Sequence, residues 1–320
     1  MTLDVLLPLK FDHPFTYNVP KEISVKAGDF VLVPFQNKDI IGVVWGKSSP
    51  IKSSIKIKDI KKKFDFVSLS KDTLIFLEKF SRYNLVDLGI ALKLFIFKKA
   101  FKELSKKIKQ KESFEEYSLK KNISFDASQK KAIKILDEQI AFDKFSTVLL
   151  HGITGSGKTL IYFKKIQDFL EKGYQVLVLL PEIALTNQIK ERFKEYFGNY
   201  PSLWHSDISE KDKRLIWHGI ASHKINLVLG ARSSLFLPFK KLGLIIIDEE
   251  HDQSYKQEDQ VIYNARDMAV LMASIKKISV ILVSATPSLE TYYNTVNKKF
   301  SYISLDKRYN DAELPEVKFV

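Results

Sequence analysis

The segment Gly152-Ile-Thr-Gly-Ser-Gly157-Lys158-Thr159 constrains this chain more than any other feature. Its spacing, G-x-x-x-x-G-K-T, is that of a phosphate-binding loop, which sits between a buried strand and a helix. The apolar run Thr147 to Leu150 precedes it, and the helical pattern Leu160 to Leu170 follows. Glycines let the backbone wrap a phosphate chain so that successive N–H groups point inward. The loop positions Gly152, Thr154, Gly155, Ser156 and Gly157 are therefore expected to line ATP phosphates. Lys158 is expected at the β- and γ-phosphates and Thr159 on Mg2+, while the helix N-terminus adds partial positive charge.

From about residue 123 onward the chain alternates strand, loop and helix. Apolar runs at Val176 to Leu180, Leu227 to Leu229, Leu242 to Ile247 and Val280 to Val283 join Thr147 to Leu150 as strands. Near-continuous apolar strands alternating with helices predict an α/β domain with a parallel sheet covered on both faces. Sites in such sheets lie at the carboxyl ends of the strands. Asp248-Glu249-Glu250-His251 emerges at one such end. Asp248 suits Mg2+ coordination, and Glu249 suits polarising the water that attacks a γ-phosphate. Lys158, Asp248 and Glu249 are thus the catalytic candidates. Ser284-Ala285-Thr286-Pro287 follows the next strand, where hydroxyls could sense the γ-phosphate and relay its presence to a bound strand.

The first hundred residues follow another rhythm. Short runs of β-formers at Leu3 to Leu9, Phe15 to Val19, Phe30 to Phe35 and Ile40 to Trp45 are separated by turn chemistry. They predict a small, mostly β, barrel-like domain or sandwich over residues 1–97, ending in two apolar helices, Thr73 to Tyr83 and Val86 to Phe97. Residues 98–121 hold nine lysines against four glutamates. Phe101, Leu104 and Ile108 keep helical spacing there, so residues 98–122 read as a solvated helical linker and 123–320 as the second domain. Lysines and arginines exceed acids by 51 to 38, a net charge of +13 that favours a polyanionic partner such as nucleic acid. No cysteine is present, which excludes disulfides, thiol catalysis and cysteine-ligated zinc within these residues and fits a reducing cytoplasm. No apolar run reaches the roughly 18 residues that a membrane span needs, and the first ten residues do not read as a signal peptide.

A P-loop, an Asp-Glu-x-His box and a Ser-Ala-Thr motif in this order resemble superfamily 2 helicases and translocases. The segments between them narrow the resemblance. Pro181-Glu-Ile-Ala-Leu-Thr186, Leu203-Trp-His-Ser206, Gly230-Ala-Arg-Ser-Ser-Leu-Phe236, Asp248 to Gln257, Tyr263-Asn-Ala-Arg-Asp267 and Ser284 to Glu290 look like the PriA family of primosomal replication-restart helicases. At the N-terminus, Phe15-Thr-Tyr-Asn-Val-Pro20, Val25 to Gly28 and Val31 to Phe35 are similar to that family's domain for DNA 3′ ends. The resemblance covers nearly the whole chain. It implies a RecA-like first lobe and an ATP-dependent 3′-to-5′ DNA helicase that recognises stalled or branched forks. Its implied partners are single-stranded and forked DNA, single-strand-binding proteins and the primosome, with no membrane. It also implies Gln129 and His251 at the nucleotide, and Thr186, Arg232 and Ser233 along the strand groove. Tyr255, Lys256 and Tyr263 fall in an aromatic-rich loop where rings can stack on bases, and Phe15 and Tyr17 in the end-binding pocket.

This chain departs from the family pattern at several points. The aromatic-rich loop lacks the tryptophan expected near Val261, and Ala231 stands where the family has threonine. The family's Phe-Asp-Tyr reads Phe15-Thr16-Tyr17, which removes the acid from that position. Residues 98–122 are too few for the winged-helix module of some relatives. The second lobe with its arginine, and the cysteine-rich zinc-binding insert of the full-length family, are expected to lie outside these 320 residues, so the chain alone should hydrolyse ATP poorly. Two other functions fit parts of the sequence. One is a non-catalytic fragment that binds fork DNA; the other is a small-molecule P-loop kinase, which gives no role to the Ser-Ala-Thr motif or the N-terminal β-domain.

Overall fold

The computed structural model describes residues 1–48, 57–101 and 124–309. Strands β1 (Thr2–Leu6), β2 (Phe15–Asn18), β3 (Asp29–Phe35), β4 (Lys38–Lys47) and β5 (Lys62–Ser68) form one antiparallel sheet in the order β2-β1-β4-β3-β5. The sheet curls toward a barrel. Asn18 N–H donates to the Lys58 carbonyl and Ile60 N–H to the Asn18 carbonyl, both at 2.9 Å, so β2 at one edge meets the segment that leads into β5 at the other. Alternation along the strands splits the apolar residues between two faces. Leu3, Val5, Tyr17, Val31, Val33 and Val44 fill the inside of the curl. Leu6, Phe30, Val43 and Phe64 look outward toward helices. Strand β5 was not expected from the sequence. Its Lys62 and Asp65 are charges on an edge strand, where they discourage pairing with another chain and mask the β pattern.

Helices α1 (Lys71–Asn84) and α2 (Leu88–Phe95) form close to where the apolar spacing placed them. The Ser70 hydroxyl caps α1 by accepting Thr73 N–H at 3.2 Å, and Leu85 ends it in the left-handed region at φ 53°. Beyond them, Lys98–Phe101 makes a single 3-10 turn. The Phe101 ring sits 5.2 Å from Phe30, 4.9 Å from Phe64 and 5.5 Å from Trp217. The rest of the expected linker helix lies outside the described residues.

The second sheet has seven strands, all parallel: β6 (Ser146–Gly152), β7 (Gln175–Leu179), β8 (Ser202–Trp204), β9 (Leu227–Gly230), β10 (Leu242–Asp248), β13 (Ser279–Ser284) and β14 (Ser301–Leu305). Their order is β14-β6-β13-β10-β7-β9-β8. A two-stranded ribbon, β11 (Lys256–Gln257) and β12 (Tyr263–Asn264), lies apart from it. The helices are α3 (Ala127–Gln139), α4 (Lys158–Glu171), α5 (Asn187–Phe197), α6 (Glu210–Ala221), α7 (Ala265–Lys276) and α8 (Leu289–Val296). Val148, Leu150, Val178, Leu244, Ile246 and Ile281 pack against α3, α4 and α5. Their strand neighbours Leu149, Leu177, Leu179, Ile245, Ile247 and Leu282 point the other way, into one cluster that holds Trp217 of α6, Met268 and Met272 of α7, and Phe80 and Phe95 of the first domain. The Phe80 and Phe95 rings lie 5.7 and 5.3 Å from Phe236. Helices α1 and α2 thus share a continuous core with the second domain. Among the described residues no helix is long and apolar enough to cross a membrane.

Candidate functional site

The P-loop joins the end of β6 to the start of α4. Gly155 and Gly157 adopt φ 82° and 78°, a region that L side chains rarely enter. A Cβ on Gly157 would also meet Gln129 Nε2 at 2.2 Å. Ser156 is buried, and its hydroxyl takes no hydrogen bond, whereas Thr154 and Gly155 are exposed. Lys158 Nζ bends back onto the loop, donating to the Gly152 and Ile153 carbonyls at 2.5 and 3.3 Å. Burial lowers its pKa, against the opposing charges of Glu249 and Asp248. A glycine cradle, an unpartnered buried hydroxyl and a lysine held by replaceable carbonyls fit a polyphosphate.

Gln129, where the family resemblance implied a nucleotide contact, is fully buried at the start of α3, and its amide engages the protein at both ends. Its Oε1 accepts Asp126 N–H at 3.2 Å in a capping box, and Nε2 donates to the Ser156 carbonyl at 3.2 Å. The residue props the loop from beneath. From the other side, Tyr309 N–H donates to the Gly155 carbonyl at 2.9 Å.

Asp248 ends β10, two strands from β6 in the sheet, with β13 between them. Its Oδ2 accepts the Tyr162 hydroxyl at 2.9 Å and its Oδ1 accepts Glu249 N–H at 3.1 Å. Burial raises its pKa to about 6, a carboxyl in want of a cation. Thr159 is the second residue of α4, and its hydroxyl reaches that of Tyr162, the partner of Asp248. Glu249 stands at φ 48°, a left-handed conformation that costs on the order of 1 kcal/mol in a non-glycine residue and concentrates at functional sites. His251 Nδ1 pairs with Ser284 Oγ at 2.8 Å, Nε2 lies 3.4 Å from Thr286 Oγ1, and Glu249 is 3.7 Å away. The acidic box and the Ser-Ala-Thr segment are therefore in direct contact.

Two features escaped the sequence. Tyr162 is buried four residues after Lys158, one helical turn along α4 and on the same face, which is the only sign that could have revealed it. Glu250 is wholly buried, with its carboxylate accepting Ser288 N–H at 2.7 Å, the Thr291 hydroxyl at 2.8 Å and Arg266 Nη1 at 3.2 Å. This cluster fastens the acidic box to the start of α7 and to the N-terminus of α8.

The strand-groove candidates gather at the same end of the sheet. Thr186 is the exposed N-cap of α5, and its side chain takes no capping bond. Ser233 is exposed just after β9, and Arg232 beside it donates through Nη1 to the Ser254 and Lys256 carbonyls, each at 3.0 Å. Lys256 is exposed and paired with Glu258 at 2.8 Å. The two tyrosines correct the expectation drawn for them. Tyr255 and Tyr263 are 1% and 2% exposed, so their rings have no open face for a base. The Tyr255 hydroxyl lies 2.6 Å from the Asp248 carbonyl and 3.0 Å from the Leu179 carbonyl, and the Tyr263 ring packs on Phe80 and Phe236. Val261, where a tryptophan was expected, is buried as well. In the first domain, Tyr17 is likewise buried with its hydroxyl on the Pro34 carbonyl at 3.2 Å. Phe15 joins a partly exposed ring cluster with Phe11, His13 and Phe35. Among the described residues there is no group of three or more His, Asp or Glu side chains that could hold a metal ion.

Residues 126–295 match the DEAD/DEAH box helicase family, and residues 4–96 match the 3′DNA-binding domain (3′BD). Replication restart protein PriA of Rickettsia felis is 42% identical over 322 residues, covering 99% of this chain and 47% of that protein. PriA of Helicobacter pylori is 36% identical over 317 residues, covering 98% and 47%. PriA of Bacillus subtilis is 43% identical over 192 residues, covering 60% and 24%. The chain spans about half the length of the relatives that match it throughout.

Proposed function

The chain belongs to the DEAD/DEAH box helicase family, and we propose that it is the ATP- and DNA-binding half of a 3′-to-5′ DNA helicase of replication restart, one that recognises stalled or branched forks and initiates primosome assembly. Single-stranded and forked DNA are its substrates in this proposal, with primosome and single-strand-binding proteins as partners in the cytoplasm. One observation carries the reading. Lys158, Asp248, Glu249 and the His251–Ser284 pair converge at the carboxyl ends of β6, β10 and β13, beside the ends of β7 and β9 that carry Thr186, Arg232 and Ser233.

The loop N–H groups and Lys158 bind the triphosphate, with Lys158 exchanging loop carbonyls for phosphate oxygens. Thr159 and Asp248 would hold Mg2+, which when bound neutralises charge on the phosphate oxygens. The Tyr162 hydroxyl keeps the Asp248 carboxylate aimed at the loop. Glu249 orients a water and takes up its proton as the water attacks the γ-phosphate. His251, in contact with Ser284 and near Thr286, transmits the state of the site to the Ser-Ala-Thr segment. Strand contacts from Thr186, Ser233 and the free edge of the Arg232 guanidinium go to phosphate oxygens, which carry no sequence information.

The test is ATP binding by the chain, and ATP turnover with and without single-stranded DNA by the full-length protein of which this reading makes it half, each compared with its Glu249→Gln variant. Glu249→Gln should bind ATP about as well as the parent while turnover falls by about 100-fold or more. Undiminished turnover in that variant would sink the assignment of Glu249.

A further inference from the structure

The loops that lead into the seven-stranded sheet, all within residues 124–309, share one chemistry. Lysine pairs Lys240-Lys241 and Lys298-Lys299 precede β10 and β14, and Lys277 stands between α7 and β13. Single lysines, Lys144, Lys172 and Lys224, precede β6, β7 and β9. All eight are exposed, and the same loops hold one acid, Asp143. These six strands are parallel neighbours in the order β14-β6-β13-β10-β7-β9, so the lysines form one row across the amino end of the sheet. Five gaps of about 4.8 Å make the row about 24 Å long. The nucleotide and strand-groove residues lie at the opposite end, about 20 Å away along the seven residues of β10. Helix dipoles do not account for the row. A dipole favours cations within the last turn, and the last turns of α3, α4, α6, α7 and α8 hold only His218 and Lys276 as basic residues. Five helix ends at about half a negative charge each, with Glu138 and Glu171, still leave the row positive. Lys277 and Lys298 even take φ 55° and 57°, the left-handed region where a helix end favours glycine.

We propose that this row is a second DNA-binding surface, one that takes the phosphate backbone of a duplex. Seven of its lysines, all but Lys224, form no ion pair among the described residues, which leaves their charges unmatched. Beside burial, the charges of Lys240 and Lys241 hold the pKa of His223 down, so the loops before β10 and β9 share one positive field. A duplex carries one charge per about 1.7 Å of axis, so about 14 phosphates fall within the length of the row. A single strand binds by stacking as well, which needs open rings. Phe142 and Tyr174, the aromatic pair in the row, are spent on each other, stacked at 5.4 Å and 13°. Lys241 Nζ stands 4.2 Å from the Tyr174 centroid. A duplex keeps its bases turned inward and asks only for cations, which the row supplies without reading sequence.

The test follows the chain by fluorescence anisotropy with two probes. A dumbbell duplex, closed at both ends so that it has no 3′ terminus, reads the row; a single-stranded oligothymidylate reads the groove. Lys144→Ala, Lys172→Ala and Lys240→Ala together remove three phosphate contacts. The triple variant should bind the dumbbell about 100-fold more weakly at about 0.1 M salt, with the slope of log affinity against log salt reduced by about 3. Its affinity for oligothymidylate should change less than about threefold, and its melting temperature by less than about 2 °C, since all three side chains are exposed. Arginine at the same three positions should bind the dumbbell as the parent does. A parent chain that does not bind the dumbbell, or an alanine variant that binds it as the parent does, would overturn the proposal. An equal loss on oligothymidylate would overturn it too, as would polyglutamate that displaces the dumbbell as well as unlabelled duplex does at equal charge, because the row would then take any polyanion.

Discussion

Replacing Arg266 by methionine tests the buried cluster that ties the acidic box to α7 and α8. The Arg266 side chain is 10% exposed and that of Glu250 is 0% exposed, so the substitution leaves a carboxylate enclosed without its cation. Breaking a buried pair from one side costs about 3–5 kcal/mol, mostly the penalty of the charge left behind. Glu250 keeps the Ser288 N–H and the Thr291 hydroxyl as donors, which places the cost near the lower figure, about 3 kcal/mol. At 320 residues each kcal/mol moves the melting temperature by about 2 °C, so Arg266→Met should melt about 6 °C lower. The double variant Glu250→Gln with Arg266→Met removes the charge but keeps an acceptor for Ser288 N–H. It should recover most of the loss, because a pair removed from both sides is close to neutral. Thermal unfolding followed by circular dichroism, with urea midpoints as a second measure, reads both effects. A single variant within about 1 °C of the parent, or a double variant no better than the single, would show that the pair carries no such burden.

Lys158→Ala should weaken binding of a fluorescent ATP analogue by about 100-fold or more, because the phosphates lose the loop's point charge. Tyr162→Phe removes a hydrogen bond that favours ionised Asp248, whose pKa is already raised by burial to about 6. Mg2+-dependent nucleotide affinity should fall as the pH drops through about 6 in the parent and begin to fall at higher pH in the variant; coincident profiles would refute the link. DNA affinity should drop steeply with salt and vary little with base sequence, since contacts at the groove go to phosphates; titrations at several salt concentrations with scrambled oligonucleotides check this.

Local chemistry made much of the nucleotide site legible. A P-loop demands a strand before it and a helix after it, and five apolar runs of near-continuous character announced the buried strands, so β6, β7, β9, β10 and β13 were readable without coordinates. The edge strands β5, β8 and β14 were not, because an edge strand is short or half solvated and its composition carries charge or polar residues. Burial was the other blind spot. Tyr255 and Tyr263 have the composition of a base-stacking loop, yet Tyr255 is drawn under the Asp248 carbonyl and Tyr263 onto the rings of α1 and Phe236, a packing that depends on residues far away in the chain. Gln129 was expected at the nucleotide, and only the fold shows that it also closes a capping box at its own helix and props the loop through the Ser156 carbonyl. The pairing of Glu250 with Arg266, and of Asp4 with Thr16, joins residues 16 and 12 positions apart. Motif and period specify which chemistry the chain carries and which strands are buried. Which polar groups find partners, and which are left for a ligand, is decided only when distant segments meet, since a hydrogen bond in a buried site is won by whichever donor the tertiary fold brings within about 3 Å.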